Sequence, residues 1–334
     1  MIKMKMLSKE KLQDIYQNAY LTRKFEEATI DLFSKGEIEG WLHSGVGQEL
    51  VGSVVCTLLQ EGDYIIPYHR SKSYFLARGV DPGRILAEIM GRKDGLCGGV
   101  GGEAHIADIS KGLIGSSGII GAGIPIALGT AFKNDYEDST NITICSFGDG
   151  SVPQGAFHES LNLAATWNLP IVFICENNLY AELSPISKGM KQQDIGKRAE
   201  GYGIPGCIVD GYDVEEVHKT LETAVSRARK GEGPTLIECK TYRWRGHYEG
   251  DPEVYRTKEE VESWVAKDPL KRMEEGLLSF TPQEELLQMK TVCEEKIKEA
   301  VTFAKSSPYP DEKFLVENVY AEDFLHKGDL TWHK

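Results

Sequence analysis

The stretch from residue 141 to residue 182, NITICSFGDGSVPQGAFHESLNLAATWNLPIVFICENNLYAE, decides the fold. Its two apolar runs, 142–147 and 170–175, predict strands, and residues 155–167 between them predict a helix. Both runs are continuously apolar rather than alternating, which is typical of strands covered on both faces of a mainly parallel sheet. The stretch therefore predicts a βαβ unit in an α/β protein.

The segments on either side continue this pattern. We predict further helices over 8–35, 49–60 and 213–230, and further strands over 64–66, 207–209 and 235–242. Beyond Pro269 the chain becomes helical and charged. The predicted organisation is an N-terminal helical arm over 1–40, an α/β domain over 41–268 and a C-terminal helical extension over 269–334.

Charge and cysteine usage narrow the class of protein. A formal net charge of -13 disfavours binding to nucleic acid or to an anionic membrane surface. The seven cysteines are an odd number without a CxxC pair, which indicates reduced thiols in the cytoplasm. We find no apolar run of the roughly 18 residues that a membrane span needs and no signal-peptide pattern at the N-terminus.

The segment 91–123 is rich in glycine and predicts a long loop, functional in many proteins, whose backbone turns tightly or approaches another group closely. At its C-terminal end, IIGAGIPIA (residues 119–127) resembles a dinucleotide-binding turn at first sight. However, Ile126 stands where that turn needs its third glycine, and Pro125 interrupts it. Nicotinamide binding is therefore disfavoured.

Polar side chains follow both strands of the deciding stretch. Gly148-Asp149-Gly150 comes after the first strand and Asn177-Asn178 after the second. Because the carboxyl ends of parallel strands meet at one edge of a sheet, Asp149 and Asn178 should converge there. One carboxylate and one amide oxygen suit Mg²⁺, which prefers to share its coordination with a diphosphate. Either motif alone would be read as an ordinary turn, but their joint placement predicts a metal site.

GDG followed by NN at this spacing resembles the thiamine diphosphate motif of transketolases and 2-oxo acid dehydrogenases. From about residue 10 to residue 275, the chain is similar to the alpha subunits of pyruvate and acetoin dehydrogenase decarboxylases. The resemblance is carried by HSGVGQE, GLCGGVGGEAHIAD, SSGIIGAGIPIALG, FGDGSVPQGAFHESLNLAATW, CENNLYAE and YRWRGHYEGDPEVYRTKEE. It implies the thiamine diphosphate-binding fold, with a mainly parallel sheet flanked by helices and helical extensions at both ends.

The resemblance also implies roles for particular residues. The metal ligands would be Asp149, the side chain of Asn178 and the backbone carbonyl of Tyr180. Contacts to the cofactor would come from His69, Arg70, Gly118, Ile120, Gly150, Ser151 and His247. The catalytic positions would be His43, close to the substrate, together with His247 and Lys72.

The implied activity is cleavage of a carbon–carbon bond in a 2-oxo acid such as pyruvate, or in acetoin, with transfer of the acyl group to lipoyl. In this family a separate beta subunit supplies the glutamate that faces the aminopyrimidine. We therefore expect an α2β2 heterotetramer, an inactive isolated chain and a lipoyl-bearing acyltransferase as a further partner. The alternatives are a non-oxidative carboligase or ketol transferase, and a non-catalytic partner protein that retains the cofactor.

Two departures from the family pattern leave the acyl acceptor open. Lys72 stands where the family has the histidine of Arg-x-His-Gly, so that an ammonium replaces an imidazole. The usual GKGGSMH is here GVGGEAH, residues 99–105, in which a lysine and a serine are lost.

Overall fold

The computed structural model describes residues 7–317 of the 334-residue chain. Its centre is a sheet of five parallel strands in the order β1-β2-β3-β7-β6. The strands of this sheet are β1 (Tyr64–Ile66), β2 (Thr143–Gly148), β3 (Ile171–Asn177), β6 (Gly206–Asp210) and β7 (Thr235–Lys240). A two-stranded antiparallel ribbon consists of β4 (Tyr180–Ala181) and β5 (Ser184–Pro185). The predicted α/β class with a mainly parallel sheet is thereby confirmed.

Helices cover both faces of this sheet. The N-terminal half contains α1 (Lys9–Ser34), α2 (Glu49–Cys56), α3 (Lys72–Ala77), α4 (Pro82–Ile89), α5 (Gly123–Tyr136) and α6 (Gly155–Thr166). The C-terminal half contains α7 (Ile186–Gly189), α8 (Val214–Arg229), α9 (Lys258–Val265), α10 (Pro269–Leu277), α11 (Gln283–Ser306) and α12 (Glu312–Glu317). Short 3₁₀ turns lie at Ile109–Lys111, Asp149–Ser151 and Ile195–Tyr202.

Two apolar cores, one on each face of the sheet, explain the continuous hydrophobicity of the strands. Ile144 and Val172 point into one core, while Cys145 and Phe173 point into the other. All four side chains are fully buried, because successive residues of a strand face opposite sides. This double burial favours the parallel arrangement seen here.

The helices at the two ends of the chain pack on the same core. Leu12 of α1 and Ile297 of α11 belong to the cluster that includes Val172 of β3, and the Tyr16 hydroxyl donates to Glu274 of α10 at 3.1 Å. The division at residues 40 and 268 stays a prediction. Its outer parts, 1–6 and 318–334, lie outside the described residues.

The local predictions are correct in element type but less accurate at the ends. The second helix stops at Cys56 rather than at residue 60, and β3 continues to Asn177. α3 and α4 were not anticipated. Thr257 caps α9, since its side chain accepts from the Glu260 N–H.

No helix within residues 7–317 is long and apolar enough to cross a membrane. The seven cysteines are all free.

Candidate cofactor site

A cavity of about 360 Å³ opens at the carboxyl ends of β1, β2, β3 and β7. Its lining contains every site residue predicted from the sequence except Lys72: His43, His69, Arg70, Gly118, Ile120, Asp149, Gly150, Ser151, Asn178, Tyr180 and His247. The register that pairs Gly148 with Glu176 brings the two polar turns side by side. Ligands of open α/β sheets occupy this kind of crevice.

Asp149 presents an unused oxygen to this cavity. Its Oδ1 accepts the backbone N–H of Asn178 at 3.3 Å, whereas its Oδ2 is buried without a hydrogen-bond partner among the described residues. The side chain is only 1% exposed, and this burial raises its pKa to about 6. A buried carboxylate oxygen without a partner is costly, and a bound cation would satisfy it. The residues present therefore fit the implied metal.

The amide of Asn178 is held in one orientation. Its Nδ2 donates to Gln48 Oε1 and its Oδ1 accepts the Tyr180 N–H, both at 3.2 Å. Between them, Leu179 adopts a left-handed conformation with φ of 73°, which is a strained position for a bulky residue. Residues 7–317 contain no group of three or more His, Cys, Asp or Glu side chains suited to a metal. Any metal here would depend on the carboxylate, the amide and backbone oxygens.

The positive charge of the cavity comes from two buried arginines. Arg70 donates to the carbonyls of Ser44 at 2.7 Å and His247 at 2.9 Å. Burial lowers the pKa of Arg70 to about 10, so it remains a cation near neutral pH.

Arg243, which we did not predict, also lines the cavity. It donates to the Glu182 carbonyl at 2.9 Å and to the Tyr255 hydroxyl at 2.8 Å, while its buried Nε has no partner among the described residues. A basic residue three positions after the end of β7 was the signal that could have identified it.

Three histidines meet at the mouth of the cavity. The ring of His43 lies 5.2 Å from that of His69 and 5.0 Å from that of His247, measured between centroids. Burial, followed by the charge of Arg70, lowers the pKa of His69 well below its usual value. The same two causes lower the pKa of His247 to about 4. These two imidazoles are therefore neutral at neutral pH, and they contribute hydrogen bonds rather than charge.

Glycines form the opposite wall, as the glycine-rich segment predicted. Gly118 and Gly121 line the cavity, and Gly121 has φ of 84°, which side-chain-bearing residues rarely adopt. A Cβ on Gly150 would lie 3.0 Å from that of Ala181. The chain before α5 is loop rather than strand, which agrees with the exclusion of a dinucleotide fingerprint.

Lys72 does not line the cavity; it lies behind the wall. Its Nζ donates to Glu103 Oε1 at 2.7 Å and to the carbonyl of His43 at 2.9 Å, and the side chain is 2% exposed. Any catalytic role of Lys72 is therefore indirect. Two carboxylates that hold residues around the cavity in place were not predicted from the sequence. Glu103 accepts from Lys72, and Glu260 accepts from the Tyr180 and Tyr242 hydroxyls.

The fold and the cavity define an α/β protein with a polar ligand site at the carboxyl edge of a parallel sheet. The chain belongs to the dehydrogenase E1 component family, whose family model matches residues 17–313. It is accordingly a thiamine diphosphate-dependent oxidoreductase that acts on an oxo group.

Named relatives cover nearly the whole chain. The alpha subunit of the acetoin:2,6-dichlorophenolindophenol oxidoreductase of Bacillus subtilis is 43% identical over 97% of both chains. The protein of the same name from Cupriavidus necator is 41% identical over 94% of this chain and 95% of its own. The alpha subunit of the pyruvate dehydrogenase E1 component of Rickettsia felis is 39% identical over 94% of this chain and 97% of its own. These similarities support a dehydrogenase rather than a non-oxidative carboligase.

Proposed function

We propose that this chain is the alpha subunit of a Mg²⁺- and thiamine diphosphate-dependent dehydrogenase for acetoin, with pyruvate as the second candidate substrate. The observation that carries the proposal is the buried, unpartnered Oδ2 of Asp149 beside Asn178 in a cavity lined by arginine and histidine. Acetoin comes first because the two quoted relatives named for acetoin share 43% and 41% identity with the chain, against 39% for the relative named for pyruvate.

In this proposal Asp149, the Asn178 amide oxygen and the Tyr180 carbonyl hold the cation, and the cation neutralises the diphosphate. Arg70 and Arg243 supply further positive charge inside a buried space, where charge-assisted hydrogen bonds are strong. Thiamine diphosphate, when bound, supplies a carbon nucleophile and accepts the electrons released by carbon–carbon cleavage. The protein binds it, shields it from water and orients the substrate.

A second chain is needed to complete the site. Among the described residues, Asp149 and Glu182 are the only carboxylates that line the cavity. Asp149 is assigned to the metal, and Glu182 is exposed at a turn. We propose that a beta subunit supplies the glutamate that moves protons at the aminopyrimidine, in an α2β2 heterotetramer. This rests on the subunit names of the relatives.

An exposed apolar surface that runs from the cavity mouth along α5 to the amino edge of the sheet is a suitable contact for that subunit. Ile119 is 71% exposed at the cavity mouth. Along α5 and the turn after α6, Phe132 stacks on Tyr136 and lies against Trp167, and all three rings are substantially exposed. Contiguous exposed apolar groups of this kind mark interaction sites.

We further propose lipoyl on a separate acyltransferase as the acyl acceptor, and the cytoplasm as the location. The seven free cysteines, most of them buried, support a reducing compartment.

The test is a substrate and acceptor panel on the chain co-purified with its beta partner. Acetoin and pyruvate are each supplied with 2,6-dichlorophenolindophenol or with a lipoyl domain. We expect turnover with acetoin and both acceptors, and none by the isolated chain. CO₂ release from pyruvate would favour the second candidate, whereas full activity of the isolated chain would contradict the shared site.

A further inference from the structure

The two departures from the family pattern are in contact with each other. Lys72 replaces a histidine and Glu103 replaces a serine, and the two positions are 31 residues apart. In the folded chain Lys72 Nζ lies 2.7 Å from Glu103 Oε1, and both side chains are buried. An isolated buried charge is costly, whereas a hydrogen-bonded pair offsets that cost. The two replacements therefore form one compensated unit.

Both members of this pair also form hydrogen bonds with His43. The Glu103 carboxylate accepts the backbone N–H of His43 at 2.9 Å, and it lies 3.0 Å from the ring Nδ1. Lys72 Nζ donates to the His43 carbonyl at 2.9 Å. The backbone donor, the backbone acceptor and one ring nitrogen of His43 are thus all engaged by the pair.

The other ring nitrogen is free for chemistry. Within residues 7–317, His43 Nε2 has no hydrogen-bond partner, and His43 lines the cavity. Its ring lies against the rings of His69 and His247 on the cavity side, and the Glu103 carboxylate lies behind it.

We propose that Glu103 and Lys72 are positioning residues that hold His43 with its proton on Nδ1, so that an unprotonated Nε2 faces the substrate. An ionised carboxylate has acceptors only, so a ring nitrogen 3.0 Å away must carry the hydrogen. In the neutral imidazole, Nε2 is then left as the acceptor. A side chain behind the cavity wall thereby determines the hydrogen-bonding character of a group inside it.

The charge balance of the pair supports this assignment. Burial alone would raise the pKa of Glu103, but Lys72 and His43 outweigh it and lower that pKa to about 2. Burial likewise acts to lower the pKa of Lys72, and Glu103 together with Glu26 raises it above its ordinary value. Glu103 is therefore an anion and Lys72 a cation at any pH at which the enzyme would work.

The inference rests on the proposed function only in taking His43 to face the substrate. The exchange Glu103→Gln tests it, because Lys72 keeps a carboxylate neighbour in Glu26, whose Oε1 is 3.5 Å from Nζ. Lys72 Nζ retains the glutamine carbonyl oxygen in the place of Oε1, so the amide NH₂ takes the place of Oε2. The NH₂ then donates to His43 Nδ1 and favours a tautomer protonated on Nε2.

Asp63→Asn is the matched control. Asp63 is a fully buried carboxylate that accepts two backbone N–H groups, from Gln60 and Ile142, and pairs with Arg229. It precedes β1, at the sheet edge opposite the cavity. Both exchanges remove a buried ionic contact, but only Glu103→Gln touches His43.

The direct readout is solid-state ¹⁵N NMR of the assembled enzyme, in which the alpha chain alone carries ¹⁵N-histidine and His43→Gln identifies the signal. We expect protonated Nδ1 and unprotonated Nε2 in the wild type and in Asp63→Asn, and a proton on Nε2 in Glu103→Gln. With Glu103→Gln, kcat should fall by about tenfold or more, while calorimetric thiamine diphosphate affinity stays unchanged.

A wild-type His43 protonated on Nε2 would overturn the inference, as would the wild-type tautomer persisting in Glu103→Gln. Equal losses of kcat in Glu103→Gln and Asp63→Asn would reduce the pair to a structural role and also contradict it. If the wild type does not bind thiamine diphosphate, the proposed function is contradicted instead. The His43 tautomer is measured independently of that binding, so a failure of the inference and a failure of the proposed function can be distinguished.

Discussion

The backbone N–H of Asn178 donates to Oδ1 of Asp149 at 3.3 Å, while Oδ2 of the same carboxylate has no partner among the described residues. The two residues follow neighbouring strands, β2 and β3, and their contact fixes one oxygen and leaves the other for a ligand. A folded chain that keeps a buried carboxylate oxygen unpaired gives up stability at that position. Such a cost is typical of a functional site.

Arg243 should contribute to cofactor affinity. Replacing Arg243 by Gln removes a buried cation whose Nε is unpaired, and hydrogen bonds to charged groups contribute roughly 1.5–3 kcal/mol. We expect thiamine diphosphate to bind roughly 10- to 100-fold more weakly, as measured by calorimetry at saturating Mg²⁺. Arg245→Gln is the control, because that guanidinium pairs with Glu249 and does not line the cavity. Equal thiamine diphosphate affinities in the two variants would show that Arg243 does not contribute to cofactor binding.

Glu26 should make stability dependent on pH. Burial raises its pKa from 4.5 to about 7, although Lys72 opposes this shift. Its protonated form is therefore favoured on folding, and the stabilisation is fully present below about pH 4.5 and is lost as the pH rises through about 7. The unfolding midpoint of the wild type minus that of Glu26→Gln should therefore decrease between pH 5 and pH 8, because only the wild type acquires a buried charge.

Thermal unfolding followed by circular dichroism measures this difference. Glu27→Gln, an exposed exchange of the same kind on α1, is the control. A difference between wild type and Glu26→Gln that does not vary with pH would show that Glu26 does not titrate in this range.

Phe132 should matter for association and not for folding. The exchange Phe132→Asp places a charge in the middle of the exposed aromatic group formed with Tyr136 and Trp167. We expect the unfolding midpoint of the chain to change little, because the ring is 46% exposed. Affinity for the beta subunit should fall at least about tenfold, since desolvating an unpaired charge in an interface is costly.

Leu287→Asp on α11 makes the same kind of change at an exposed apolar residue remote from this surface. Sedimentation of mixed subunits compares the two variants. Normal assembly of Phe132→Asp would place the interface elsewhere.

Much of this structure could be predicted because its strands are apolar on both faces. The run 170–175 specifies a buried parallel strand almost independently of context, and β3 occupies Ile171–Asn177. The convergence of Asp149 and Asn178 followed from the same logic, since parallel strands end at one edge.

Other features depend on contacts that are distant in sequence. Lys72 was expected to act at the site because of its place in a motif, yet its partner Glu103 is 31 residues away and draws it behind the wall. Arg243 is held by a hydrogen bond to the Tyr255 hydroxyl, and Glu260 by one from the Tyr180 hydroxyl. Periodicity and spacing carry no information about such pairs. The six-residue α3 is too short for a helical period to be recognised. α4 was missed although Asp81 at its N-cap and Pro82 at its start are local signals of a helix.

The central claim is that Asp149 holds the metal through which the diphosphate is bound. It is tested most directly by isothermal titration of thiamine diphosphate into wild type and Asp149→Ala, each with and without Mg²⁺. We expect Mg²⁺-dependent binding in the wild type and no detectable binding in Asp149→Ala, with both proteins shown to be folded by circular dichroism. Equal, Mg²⁺-dependent affinity in the two proteins would contradict it.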